Sequence, residues 1–190
     1  MKIFILFFAV AWSSTSLKAQ YEYEPSEAYP FGRIHPHAPQ QLADYEPLIG
    51  ESICTSVSRA PDQTWNPEVN MIWRFKYIMN GMAVQDQTLK EDGAHSGSIR
   101  QFNADSSSWY VHYYSTGGAP PALPSWGGGK NDDGDIILYR EQKAPNGLDG
   151  YYKITFFDIS NEGFEWLGEW TDTSESFSFP TWKISCTKIE

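Results

Sequence analysis

From Gly50 onward the chain is a succession of short runs rich in β-branched and aromatic residues, each bounded by turn residues. Residues of these kinds fit a pleated, half-buried surface, so the runs predict strands. Nine are recognisable, at 51–58, 69–79, 82–89, 96–102, 109–115, 135–141, 151–158, 163–170 and 177–188. Asn80-Gly81 is the clearest hairpin, because a type I′ turn needs two residues that tolerate positive φ. Antiparallel strands joined mostly by short turns predict an up-and-down barrel, whose closure removes the exposed edges of an open sheet. The predicted fold class is therefore all-β, with one short helix at 40–48, ended by Pro47 and Gly50.

The rest of the chain fits around that barrel. Lys2, the apolar run 3–12 and the small, polar run 13–19 have the order of a secretory signal peptide cut near Ala19. The apolar run is too short to span a bilayer, and no Cys follows the cut to carry a lipid anchor. The expected divisions are 1–19, a signal peptide; 20–39, an extended arm with four prolines; and 40–190, a single β-barrel domain. The mature product is expected in the periplasm or secreted, as a monomer. Cys54 and Cys186 then form either a disulfide, closing a loop over most of the domain, or two buried thiols on neighbouring strands.

Composition narrows the function. A net charge of −10 excludes nucleic acid as a natural partner, since phosphate backbones are bound by basic surfaces. The same acidity comes with 8 Trp, 11 Tyr and 11 Phe, which no disordered acidic tail would carry. Removing 1–19 takes away Lys2 and Lys18 and no acid, so the mature domain is more acidic still. His35 and His37 read as solvated imidazoles, since no further ligand cluster accompanies them; no metal and no cofactor are expected. The nineteen residues 116–134 are rich in Gly and Pro, and so long a connection reads as a lid over the barrel mouth, tipped by Trp126.

The runs DYEPLIGESICT, MIWRFKYIMNGMAVQD, GSIRQFNADSSSWYVHYYS, FFDISNEGFEWLGEW and WKISCTK resemble an exported, lipocalin-like (calycin-type) β-barrel domain family across 44–188. The resemblance implies that some members are oligosaccharide dehydratases of marine bacterial ulvan degradation. Such an enzyme removes water from the non-reducing-end uronic acid and leaves a 4,5-unsaturated uronate. Its partner would be an acidic oligosaccharide.

That elimination needs a base for the C5 proton, a cation for the sugar carboxylate and an acid for the departing oxygen. In the run 109–115, alternation puts Tyr110, His112 and Tyr114 on one face. If that face lines the cavity, His112 and Tyr114 serve as base and acid; if it faces solvent, His112 is an ordinary surface imidazole. Arg100 and Arg74 are candidates for the carboxylate, because guanidinium matches it in a bidentate manner. Asp86 either pairs with one of these arginines or faces water, and Tyr139, Trp166 and Glu169 complete the candidate substrate contacts. Trp73 and Trp182 read as core. The other reading is a barrel that binds a small glycan or apolar ligand without turnover. Haem binding is disfavoured because the closing run WKISCTKIE has no His, and hydrolase chemistry lacks a nucleophile elbow.

Overall fold

A computed structural model describes residues 21–189. The expected signal peptide lies outside the described residues. Ten antiparallel strands close a barrel in which each strand pairs with its chain neighbours and the last pairs with the first. They are β1 (Gly50–Ser58), β2 (Val69–Ile78), β3 (Ala83–Lys90), β4 (Ser96–Asn103), β5 (Ser108–Ser115), β6 (Ser125–Lys130), β7 (Ile136–Glu141), β8 (Gly150–Phe157), β9 (Gly163–Asp172) and β10 (Ser178–Lys188).

The strand missed in the sequence is β6, within the stretch expected to be a lid. Its sequence, SWGGGK, has almost no side chains to betray a strand. One of the glycines answers to packing: a Cβ on Gly128 would collide with the Ile137 carbonyl of β7. Trp126 consequently tips no lid; it is buried, pointing into the barrel. The tenth strand also matters for closure. A meander of nine strands would bring its first and last strands together parallel, whereas ten bring β1 and β10 together antiparallel.

That pairing sets Cys54 directly opposite Cys186, and the two form a disulfide. The bridge spans 132 residues of sequence, and in the loop-entropy model a closure of that length stabilises by about 4–5 kcal/mol.

One end of the barrel is plugged. Residues Gln40–Leu48 form a 3-10 helix whose Leu42, Tyr45 and Leu48 are buried. The Tyr45 ring sits edge-on to Trp109 at 4.8 Å and packs against Phe75 and Phe156. Trp109 Nε1 donates to Asp44 and Lys188 Nζ to the Pro47 carbonyl, fixing the helix across the opening. The arm before it is not extended. It follows a series of turns laid on the β2–β3 connection, where Tyr77 N donates to the Phe31 carbonyl and Tyr23 N to Asn80 Oδ1. That connection is longer than the two-residue turn expected, with positive φ at Met79, Asn80 and Gly81 in succession.

Candidate functional site

The inward faces of the strands leave a cavity of about 240 Å³ opening at the end opposite the plug. Alternation decides what lines it. On β2 Met71, Trp73 and Phe75 point in, and on β3 Asp86 and Thr88 do so. Ser98 and Arg100 follow from β4, Val111 and Tyr113 from β5, Leu138 and Arg140 from β7, and Trp166 from β9.

The floor is a buried ion pair. Arg100 and Asp86 are each about 4% exposed, and Arg100 Nη1 donates to Asp86 Oδ1. Ser98 Oγ donates to the same oxygen, and Trp73 Nε1 donates to Asp86 Oδ2 at 2.8 Å. Both carboxylate oxygens therefore have partners, which a charge so deeply buried requires. Burial disfavours the charged guanidinium, but Asp86 and Tyr45 together offset it and hold Arg100 above its ordinary value. Just beneath, burial pushes the Tyr45 hydroxyl up to about 12, against the pull of Arg100.

The walls are aromatic. Trp73, Trp126, Phe156, Trp166 and Trp182 turn rings toward the cavity, and Trp166 meets Trp182 edge-on at 5.4 Å. Flat apolar rings of this kind stack on the apolar faces of cyclic ligands. Polar groups return at the mouth. Arg140 lies 4.4 Å over the Trp126 ring, and its Nη2 donates to Gln142 Oε1 at 2.8 Å. It makes no ion pair among the described residues, so its charge stays available, unlike that of Arg100. Tyr152, on β8 opposite Arg140, exchanges a hydrogen bond with Thr181 Oγ1 at 3.1 Å, and burial raises its phenol. Tyr113 and Tyr152 flank the Trp126 ring at 6.2 and 6.4 Å. Lys90 Nζ lies 4.4 Å over Trp182 at the rim, its ammonium lowered by burial.

Of the residues proposed from sequence, the structure gathers Arg100, Asp86 and Trp166 around the cavity. It does not place His112 and Tyr114 there. Their neighbours Trp109 and Val111 take the inward face of β5, and the Tyr114 hydroxyl accepts from Gln85 on the outside. A catalytic base and acid at His112 and Tyr114 would thus be separated from Arg100 by the sheet. Arg74 is also outside, paired with Glu51 across the β1–β2 ladder. Tyr139 and Glu169 belong to a second outer cluster, where Tyr139 donates to Glu175 at 2.9 Å and Lys153 to the same carboxylate at 2.7 Å. Burial and the charge of Glu175 push Tyr139 up to about 12, and burial raises Glu169. Trp73 belongs to the core and Trp182 packs against it, as read from the sequence, and both also line the cavity.

Arg140, Tyr113 and Tyr152 were missed. The signal for Arg140 was present: in Ile136-Ile137-Leu138-Tyr139-Arg140 the even positions continue inward, which selects Arg140 over its neighbour Tyr139. A comparison with protein-family models and with curated proteins found no match to this chain.

Proposed function

We propose that this barrel is a carbohydrate-active dehydratase that takes the non-reducing-end uronic acid of an ulvan-type oligosaccharide into its cavity and removes water to give a 4,5-unsaturated uronate. The observation that carries the proposal is Arg140, an uncompensated cation set beside two phenols on an aromatic wall. The resemblance across 44–188 supports the reaction class. The cavity is smaller than the roughly 300–1,000 Å³ of pockets for drug-sized ligands, so it suits a single ring.

In this reading Arg140 and Gln142 hold the sugar carboxylate and stabilise the charge that builds on it as the C5 proton leaves. Tyr113 and Tyr152 carry the proton from C5 to the C4 oxygen. The C5–H and C4–O bonds break, the C4=C5 double bond forms and one water departs, so the step balances without an oxidant or a second substrate. Arg100 and Asp86 are the rigid polar floor that orients the ring and not the reacting pair. The protein works outside the cytoplasm, where the Cys54–Cys186 bridge persists, and as a monomer with no open sheet edge.

One observation favours the other reading, a barrel that binds such a ligand without turnover. None of the four histidines lines the cavity, and Asp86, its one lining carboxylate among the described residues, is fully committed. Incubation with saturated, uronate-terminated oligosaccharides separates the two. The dehydratase produces the ultraviolet absorbance of a conjugated unsaturated uronate; saturable binding with no new absorbance across a range of such substrates would leave the binding protein.

A further inference from the structure

Beside the cavity mouth a second concavity of about 570 Å³ lies among the β1–β2, β7–β8 and β9–β10 connections. Gln142 lines both, so the two spaces adjoin. The second one presents apolar rings to solvent: Phe177 is 58% exposed and Phe179 lines the same space, while Trp65 lies against the Arg59 guanidinium that lines it. Its charge is opposite to that of the molecule. In a chain with 24 acidic residues, no Asp or Glu among the described residues lines this groove. Arg59 lies 4.4 Å over Trp65 and 4.7 Å over Phe179, and Lys183 Nζ lies 4.9 Å from Trp65. The Arg59 donors go to the backbone carbonyls of Pro180 and Gln63, so no carboxylate cancels its charge. The Pro180 carbonyl is available because the β9–β10 ladder slips between Pro180 and Trp182, as a proline lacking its N–H favours.

We propose that this groove is a binding site for the sugar units that follow the terminal residue held in the barrel, giving the protein a preference for acidic oligosaccharides over single uronic acids. The inference rests on the reading of the cavity as a uronate site. Exposed rings held beneath cations suit a sugar that offers an apolar face and carries carboxylate or sulfate. A groove next to the mouth receives the chain that a one-ring cavity must leave outside.

Calorimetric titration of the full protein with glucuronic acid and with an acidic, uronate-terminated tetrasaccharide tests this directly. The wild type should bind the tetrasaccharide roughly tenfold or more tighter than the monosaccharide. Phe177→Ala and Phe179→Ala should each cost roughly fivefold for the tetrasaccharide, as expected for one lost stacking face, and leave the monosaccharide affinity unchanged. Equal affinities for the two ligands, or variants that bind the tetrasaccharide as the wild type does, would overturn the groove. Failure here is distinguishable from failure of the dehydratase. Length-dependent binding without an unsaturated product keeps the groove and removes the enzyme, whereas product formed with affinity independent of length does the reverse.

Discussion

Two arginines on the inner face show how position decides what a charge can do. Arg100 is enclosed and spent on Asp86, while Arg140 at the mouth has only Gln142 and an aromatic ring beside it. Asp86→Ala should therefore destabilise the protein by about 3–5 kcal/mol, because it leaves a buried guanidinium unpaired. Urea denaturation measures this, and a change within about 0.5 kcal/mol would show that the floor tolerates the bare charge. His112→Ala should leave both ligand affinity and turnover unchanged, since the imidazole lies across the sheet from the cavity. A large loss of turnover would move the active site to the outer face. Residue types were legible in the sequence, and so were Arg100, Asp86 and Trp166 as site members. What failed was facing: Arg74 on β2, His112 and Tyr114 on β5, Tyr139 on β7 and Glu169 on β9 all lie off the cavity. On β5 the aromatic residues occupy both faces, Tyr110 outside and Trp109 inside, so composition did not say which was buried. On β7 the alternation was readable, yet the phenol of Tyr139 drew the choice one residue away from Arg140.

Elements were easier to read than their facing. The nine runs seen in the sequence all correspond to strands, because β-branched and aromatic residues at period two mark a half-buried ribbon. The tenth strand was hidden because its three successive glycines, of which Gly128 is required by close approach to β7, look like loop. Closure by ten strands brings the cysteines together. Replacing both, Cys54→Ala with Cys186→Ala, should lower unfolding free energy by about 2–5 kcal/mol while keeping the barrel, measured by denaturant titration and far-UV circular dichroism. Unchanged stability would mean that the β1–β10 ladder needs no bridge.

The β9–β10 connection makes a pH prediction. Hydrogen bonds from Ser174 Oγ, the Phe177 N–H and Ser176 Oγ hold the Asp172 carboxyl down to about 2 from 3.8. A depressed carboxyl contributes stability that is present above its unfolded value and lost as pH falls through its folded one. Exchange protection of the Phe177 amide should accordingly hold at pH 5 and weaken between about 4 and 2. Protection that is flat across that window would show that the turn does not depend on the charge.

At the scale of the whole molecule, a plug closes one end of the barrel and leaves a single mouth for the ligand. The molecule carries −10 overall, so the anionic sugar proposed as substrate would meet an unfavourable field at long range and would have to be captured by local cations. Arg140 at the mouth and Arg59 in the neighbouring groove are the cations that the proposed capture would use. The strong acidity and the aromatic excess were plain in the sequence; their separation, with rings and unpaired cations at the mouth, depends on which way each strand faces.

Dehydration at Arg140 is decided by the ultraviolet absorbance of the unsaturated uronate as wild type, Arg140→Gln and His112→Ala act in parallel on a saturated, uronate-terminated oligosaccharide. Product from wild type and His112→Ala at similar rates, with Arg140→Gln slowed roughly a hundredfold as for one lost charge-stabilising donor, is the predicted result. No product from any of the three, or full activity in Arg140→Gln, would contradict it.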